Sequence, residues 1–295
     1  MKRLEINAVP LIKKMEFVLE KLAEARLVSR YRRIFKGKGL EFLDFRPYTE
    51  QDDSKRIDWK TSVKANKLLI KEFKEERDLD VYFLVDCSSS MVFGSTKKLK
   101  NEYAAEIVAA LTHIVLFTGD KAGLFMFNDK IVKKIQPRNI RDQYYIILRA
   151  LSDPNLYYGG CDLNGVVEYI MGLAKREALL VIVSDFFGLR ENWADSLKIA
   201  CTKFDTIGIM VRDPRDEELP KNIGKVLIKD PFSGKEMLVD PDSVRDQYAA
   251  YTKRKEEEIE RAFTKYNADF LHLRTDKDFI KPFLYLLRRR EGELV

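Results

Sequence analysis

Histidine is almost absent from this sequence: His113 and His272 are the two in 295 residues. That scarcity excludes a histidine-built metal centre and leaves little room for His-based acid–base catalysis. Cysteine is scarce as well. Cys87, Cys161 and Cys201 are odd in number and lack any Cys-x-x-Cys spacing, which argues against a disulfide framework and for a reducing, cytoplasmic setting. Long hydrophobic runs are missing, since the best, Ala178–Val183, has the length of a strand and not of a membrane span. Near the N-terminus Lys13, Lys14, Glu16 and Glu20 interrupt the apolar stretch Leu11–Leu22, so no signal-peptide core is present. The sequence also holds no Gly-x4-Gly-Lys-Ser/Thr loop and no Gly-x-Ser-x-Gly elbow, which removes P-loop nucleotide binding and the common serine-hydrolase arrangement.

What is there is ample core material, 45% apolar against 34% charged residues, enough for one large domain with an appendage. The net charge of +6 is concentrated: residues 1–40 carry 11 Lys/Arg against 4 Asp/Glu. A basic segment of this kind permits RNA or membrane contact, but a solvated helix surface is the simpler reading, and nucleic acid is not the expected partner. Leu11, Met15, Val18, Leu22 and Ala25 have the spacing of an amphipathic helix over 10–28. Extended segments follow at Glu41–Tyr48 and Lys67–Phe73, so residues 1–78 are expected to form an N-terminal helix and a small β appendage.

From residue 79 onward strands and helices alternate. Val81–Val85 and Leu179–Val183 are continuous apolar runs, the mark of strands buried on both faces. Further strands are expected at Gly123–Phe127, Ile131–Ile135, Thr206–Val211 and Phe270–Leu273. Helices are expected from Leu99 through Ile114, over Ile140–Leu151, from Asp162 as its cap, over Asn192–Lys203, from Asp242 or Ser243 through Phe263, and over Phe279–Leu287. Val226–Ile228 and Glu236–Val239 flank Ser233-Gly234 as a hairpin. The alternation predicts an α/β, Rossmann-like domain over 79–295 with a mainly parallel sheet covered on both sides. Ligands of such sheets bind at the carboxyl ends of the strands, where the strand order reverses.

The residues placed there are oxygen-rich. Asp86-Cys87-Ser88-Ser89-Ser90 follows the first buried strand, Ser184-Asp185-Phe186 the later one, and Tyr158-Gly159-Gly160-Cys161-Asp162 is a loop entering a helix, with Gly159-Gly160 reading as a hinge. Two carboxylates and two hydroxyls suit a hard cation, which takes oxygen ligands and keeps several waters.

Asp86-x-Ser88-x-Ser90 resembles the metal-ion-dependent adhesion site (MIDAS) of von Willebrand factor A-type domains. The resemblance implies that Ser88 and Ser90 ligate Mg2+ (or Mn2+ or Ca2+) directly, that Asp86 and Asp185 act directly or through water, and that an open position takes an Asp or Glu of a partner protein. The family's threonine position falls on Cys161, a soft ligand poorly matched to magnesium, so Asp162 or water would substitute and binding would be weak. Further upstream, Gly37-x-Gly39-x-Glu41-Phe42-x-Asp44-x-Arg46-x-Tyr48, Asp52-Asp53-x-x-Arg56, Asp58-Trp59 and Leu69-x-Lys71-x-Phe73-x-Glu75-Glu76-Arg77 resemble the signature of the domain of unknown function 58 family, which pairs this segment with a von Willebrand A-type domain. Arg46, Arg56 and Arg77 with Glu41, Asp44, Asp53 and Asp58 are expected to form an ion-paired brace, with Phe42 and Trp59 as apolar anchors, or else a recognition surface for the partner in which Arg and Trp are the anchors. By that resemblance the chain is a non-enzymatic adaptor working with a MoxR-type AAA+ ATPase in chaperone or assembly work. The competing expectations are a metal-dependent phosphoester hydrolase built on Asp86, Asp162 and Asp185, and RNA binding through residues 1–40.

Overall fold

The computed structural model describes residues 42–49, 52, 57–73, 79–173 and 178–290, with residues 4, 9 and 13 as isolated points. The helix expected over 10–28, and Glu41, Asp53, Arg56 and Arg77 of the expected brace, lie outside the described residues; so do the side chains of Phe42 and Asp44.

Strands β1 (Phe42–Pro47) and β2 (Leu69–Phe73) pair antiparallel as a two-stranded sheet, with helix α1 (Trp59–Ala65) between them in sequence. Helix α1 was not foreseen. Seven residues are too few for a periodicity, but Asp58 caps it by accepting the Thr61 N–H at 2.9 Å, and Asn66 ends it in a left-handed conformation. One ion pair of the expected brace is present with a different acid: the Arg46 guanidinium grips Asp52 through two bonds of 2.6 and 2.7 Å. Trp59 does not anchor a brace. It opens α1 with 63% of its surface exposed, because Ser62 is the residue that α1 turns inward, bonding Leu69.

The main sheet has, among the described residues, six strands: β3 (Asp80–Asp86), β4 (Lys121–Phe127), β5 (Ile131–Arg138), β6 (Ala178–Ser184), β7 (Asp205–Arg212) and β10 (Asp269–Arg274). Their order is β10-β7-β6-β3-β4-β5, all parallel except β5, which runs antiparallel to β4 at one edge. Buried alternation explains the apolar runs. Val81, Phe83 and Val85 face one core, shared with α2 (Lys100–Phe117), α3 (Gln143–Leu151) and α8 (Ile280–Arg290). Tyr82 and Leu84 face the other, shared with α4 (Leu163–Leu173), α5 (Trp193–Lys203) and α7 (Pro241–Lys265). The Rossmann-like α/β arrangement expected from the sequence is therefore present, and among the described residues no helix is long and apolar enough to cross a membrane.

Two helix starts differ from expectation. α3 begins at Gln143 and not at Ile140, because the Gln143 side chain turns back to donate to the carbonyls of Ala122 (2.6 Å) and Gln136 (3.0 Å). α7 is capped by Asp240 ahead of Pro241, whose fixed φ suits a first helical position. Between β7 and α7 lie a single turn of helix, α6 (Pro214–Glu217), and the expected hairpin, β8 (Val226–Lys229) with β9 (Glu236–Val239).

Strand β3 is the topological pivot. The chain moves from it to β4 and β5 on one side, then crosses back to β6, β7 and β10 on the other. A crevice at the carboxyl ends must open between β3 and β6. Asp86 ends β3 and Ser184 ends β6.

Candidate functional site

Asp86 is fully buried and both of its oxygens are engaged: the Ser88 N–H donates to Oδ1 at 2.8 Å and the Ser184 hydroxyl donates to Oδ2 at 2.6 Å. The hydroxyl oxygens of Ser88 and Ser90 lie 3.0 Å apart, both buried. Burial, with the Asp185 charge adding to it, pushes the Asp86 carboxyl up to about 6 against the bonds from Ser184 and Ser88.

The middle loop is fixed to its neighbours. Ser89 N–H donates to Gly159 O, Tyr158 N–H to Cys87 O, and the Asn128 side chain to Tyr158 O. The Asp129 carboxylate accepts the Gly160 N–H at 2.8 Å, and a Cβ on Gly159 or Gly160 would fall 2.4–2.6 Å from its oxygens, so glycine is there to let the carboxylate approach. Cys161 is buried beside Asp86, and burial together with the charges of Asp86 and Asp185 holds its thiol well above the ordinary range, so it stands as a neutral group. Asp162 looks elsewhere: it caps α4 through the Gly165 N–H and pairs with Arg190 at 3.1 Å.

Asp185 is fully buried, but a cation already holds it. The Lys100 ammonium bonds Asp185 Oδ2 at 2.7 Å and Asp216 Oδ2 at 2.9 Å, and the Phe187 N–H takes Asp185 Oδ1 at 2.9 Å. Burial raises the Asp185 carboxyl, yet Lys100 and Arg212 outweigh that and hold it below the usual range. Asp216 ends above its usual range, since its burial wins over the same lysine. The backbone beside this pair is unusual: Phe186 has φ +54, with its ring packed on Phe263 and Phe270.

The structure thus gathers Asp86, Ser88, Ser90, Cys161 and Asp185 at one crevice, with Asp162 close enough to act on Cys161 but engaged by the Gly165 N–H and Arg190. Sequence reading missed Ser184, Lys100 and Asp216. Lys100 carried a signal, because a lysine on the first turn of a helix sits at the positive end of its dipole and needs a carboxylate to explain it. Asp213-x-x-Asp216 carried another, the spacing of a reciprocal helix cap, which closes here through Asp216 accepting the Asp213 N–H.

A hard divalent ion fits part of this donor set. The 3.0 Å between Ser88 Oγ and Ser90 Oγ matches the edge of about 2.9 Å between adjacent ligands of a magnesium octahedron with bonds near 2.1 Å. Asp86 bonds Ser88, which in turn contacts Ser90. Asp185 does not fit as a free charge while Lys100 holds it.

A second cluster lies off this crevice. Ligand atoms of Glu217, Glu256 and His272 lie within 4.8 Å of one another. Arg274 bonds Glu217 at 3.0 Å and Arg212 lies 3.1 Å from Glu256, so two arginines balance the two glutamates. His272, on β10, is exposed beside Glu217 at 3.2 Å.

Residues 44–258, well over half of the chain, match the family described as "Protein of unknown function DUF58". The chain belongs to that family. Its α/β fold with a mainly parallel sheet agrees with the von Willebrand A-type likeness of the sequence. Among curated relatives, the uncharacterized protein Rv1480 of Mycobacterium tuberculosis is 27% identical over 288 residues, covering 96% of this chain and 90% of its own length. The uncharacterized protein YeaD of Bacillus subtilis is 32% identical over 100 residues, 34% of this chain and 23% of its own length. Among solved structures, the conserved hypothetical protein BatB from Bacteroides thetaiotaomicron matches 73% of this chain and 98% of its own with a TM-score of 0.48 and 13% identity. The SpRpn10 VWA domain matches 72% and 94% with a TM-score of 0.38 and 10% identity. Both structural likenesses are partial.

Proposed function

We propose that this member of the DUF58 family is a non-enzymatic, cation-dependent protein-binding adaptor whose site at the β3–β6 crevice grips an Asp or Glu of a partner. Ser88, Ser90 and Asp86 would hold a divalent ion of the magnesium class, with water in its remaining positions and Asp185 behind Lys100. Such an ion supplies a positive, open coordination position for another protein's carboxylate. What supports the reading is the pair of serine hydroxyls 3.0 Å apart beside a buried aspartate at the end of the pivot strand. The chain's own groups set the rest: Ser184 and the Ser88 amide orient Asp86, and the neutral Cys161 thiol adds no competing charge. The absence of a P-loop in the sequence leaves energy input to a second protein. The family resemblance names a MoxR-type AAA+ ATPase for that role.

The hydrolase alternative lacks support at the crevice. Neither serine bonds a histidine there; the two bond each other, and the Ser88 side chain also bonds Asp86, which Ser184 holds from its other side. The test of the adaptor reading is a pulldown of the purified MoxR-type ATPase by the full chain, with magnesium or with chelator, using wild type and the Ser88→Ala/Ser90→Ala variant. Recovery is expected with magnesium and wild type alone. Equal recovery in all four conditions removes the cation from the mechanism.

A further inference from the structure

Lys100 is a costly residue to keep where it is. It is 1% exposed and sits on the first turn of α2, at the positive end of that helix's dipole. Removing an ammonium from water is expensive unless its partners are excellent. Here they are: two carboxylate oxygens at 2.7 and 2.9 Å, with the Phe93 and Phe187 rings 5.6 and 5.1 Å from the nitrogen. Burial pulls the ammonium down, but Asp185 and Asp216 outweigh it and keep Lys100 charged. None of this helps α2 itself. The lysine's effect falls on Asp185, whose other oxygen is already taken by the Phe187 amide.

We infer that Lys100 is a resident counter-ion that keeps Asp185 from a divalent ion bound at Ser88 and Ser90, and so sets the site's cation affinity low. The inference rests on the reading of Asp86, Ser88 and Ser90 as a cation site, and it names the residue that regulates it. Two consequences follow from charge alone. A divalent ion beside Ser88 and Ser90 meets one carboxylate that no cation holds, Asp86, and is repelled by a fixed positive charge nearby. Its own charge is then little offset, which strengthens its pull on an incoming carboxylate while weakening its hold on the protein. The site therefore favours the ion and the partner's acid together over the ion alone.

The experiment is calorimetric titration of the purified full chain with Mg2+ and Mn2+, comparing wild type, Lys100→Met, Lys100→Arg, and Lys100→Met combined with Ser88→Ala/Ser90→Ala. Lys100→Met is expected to tighten binding by about tenfold or more, as fits removal of a unit charge near a divalent ion at an effective dielectric of about 20. Lys100→Arg should stay near wild type, and the serine substitutions should abolish the gain. Because Lys100→Met leaves Asp185 and Asp216 unpaired, melting temperature is followed as well; added Mn2+ should raise it more in Lys100→Met than in wild type. If that variant does not fold, Lys100→Met/Asp216→Asn, with one orphaned carboxylate fewer, carries the same expectation. Serine-dependent binding that is equally tight in wild type and Lys100→Met overturns the role of Lys100 and leaves the cation site standing. No binding by wild type or by the lysine variants overturns both. Binding gained only on removing Lys100 upholds the inference and refutes an ion site in the unmodified chain.

Discussion

Asp86 shows what two buried carboxylates at one crevice must do. Burial holds its carboxyl at about 6 in the fold against an ordinary 3.8, so between those pH values the folded chain holds a proton that the unfolded chain releases. Stability from this group therefore falls as pH rises through that window, and the full cost persists above it. In chelator at pH 7.5, Asp86→Asn is expected to be more stable than wild type by on the order of 2 kcal/mol, with the difference closing as pH falls toward 4. Melting temperatures across a pH series check this; a variant less stable than wild type at every pH would mean that the charge is fully satisfied by Ser184 and the Ser88 amide. At this scale much of the crevice was legible. Asp86, Ser88, Ser90 and Asp185 each follow a buried apolar strand, and a strand's end fixes where the next few side chains go. Lys100 and Asp216 were not legible as partners, because nothing local links a lysine to an aspartate 85 residues later, or to one further still. Asp162 was legible as the cap of α4, which it is, but its pairing with Arg190 across the chain was not.

Strand β7 and helix α7 meet where there is no room for one more carbon. A Cβ on Gly208 would lie 2.5–2.9 Å from three ring atoms of Phe263, a fully buried side chain that also supports Phe186. Gly208→Ala is expected to cost about 1–3 kcal/mol, read as a lower melting temperature, and a smaller partner in Gly208→Ala/Phe263→Leu should recover part of it. If the single variant melts like wild type, α7 is free to shift and the contact does not constrain it. Elements of this kind were readable in proportion to their burial. Strands buried on both faces announced themselves as apolar runs, whereas α1 and α6, one or two turns held by the caps Asp58 and Asp213, carry no periodicity to read. The start of α3 escaped because it depends on where one glutamine side chain turns.

Across the whole molecule the apolar surface left uncovered is uneven. Leu227, Met237 and Leu238 on the β8–β9 hairpin are each more than 60% exposed, and Leu227 stands directly across from Leu238. The tip of the hairpin reaches back toward the crevice, with the Phe232 ring against Gly188. Exposed apolar strands with open edges invite pairing with other chains. Leu227→Lys/Leu238→Glu, a cross-strand charge pair, is expected to lower concentration-dependent light scattering without changing the melting temperature; unchanged scattering would place self-association elsewhere. Fold class was readable at this scale because alternation of strand and helix is a global pattern. The hairpin's exposure was not, since its residues are as apolar as those of a buried strand.

The loop carrying the serines is moored far downstream. The Ser95 amide and hydroxyl both bond Asp213, 118 residues away, and the Thr96 hydroxyl reaches Thr275, 179 residues away. Contacts so distant along the chain form late, because long loops must close before they are rewarded. A nascent chain therefore exposes Asp86, Ser88 and Ser90 well before it owns the anchors that shape their loop. The loop that carries Asp86, Ser88 and Ser90 therefore takes its shape only once the segments after β7 and β10 have docked on it.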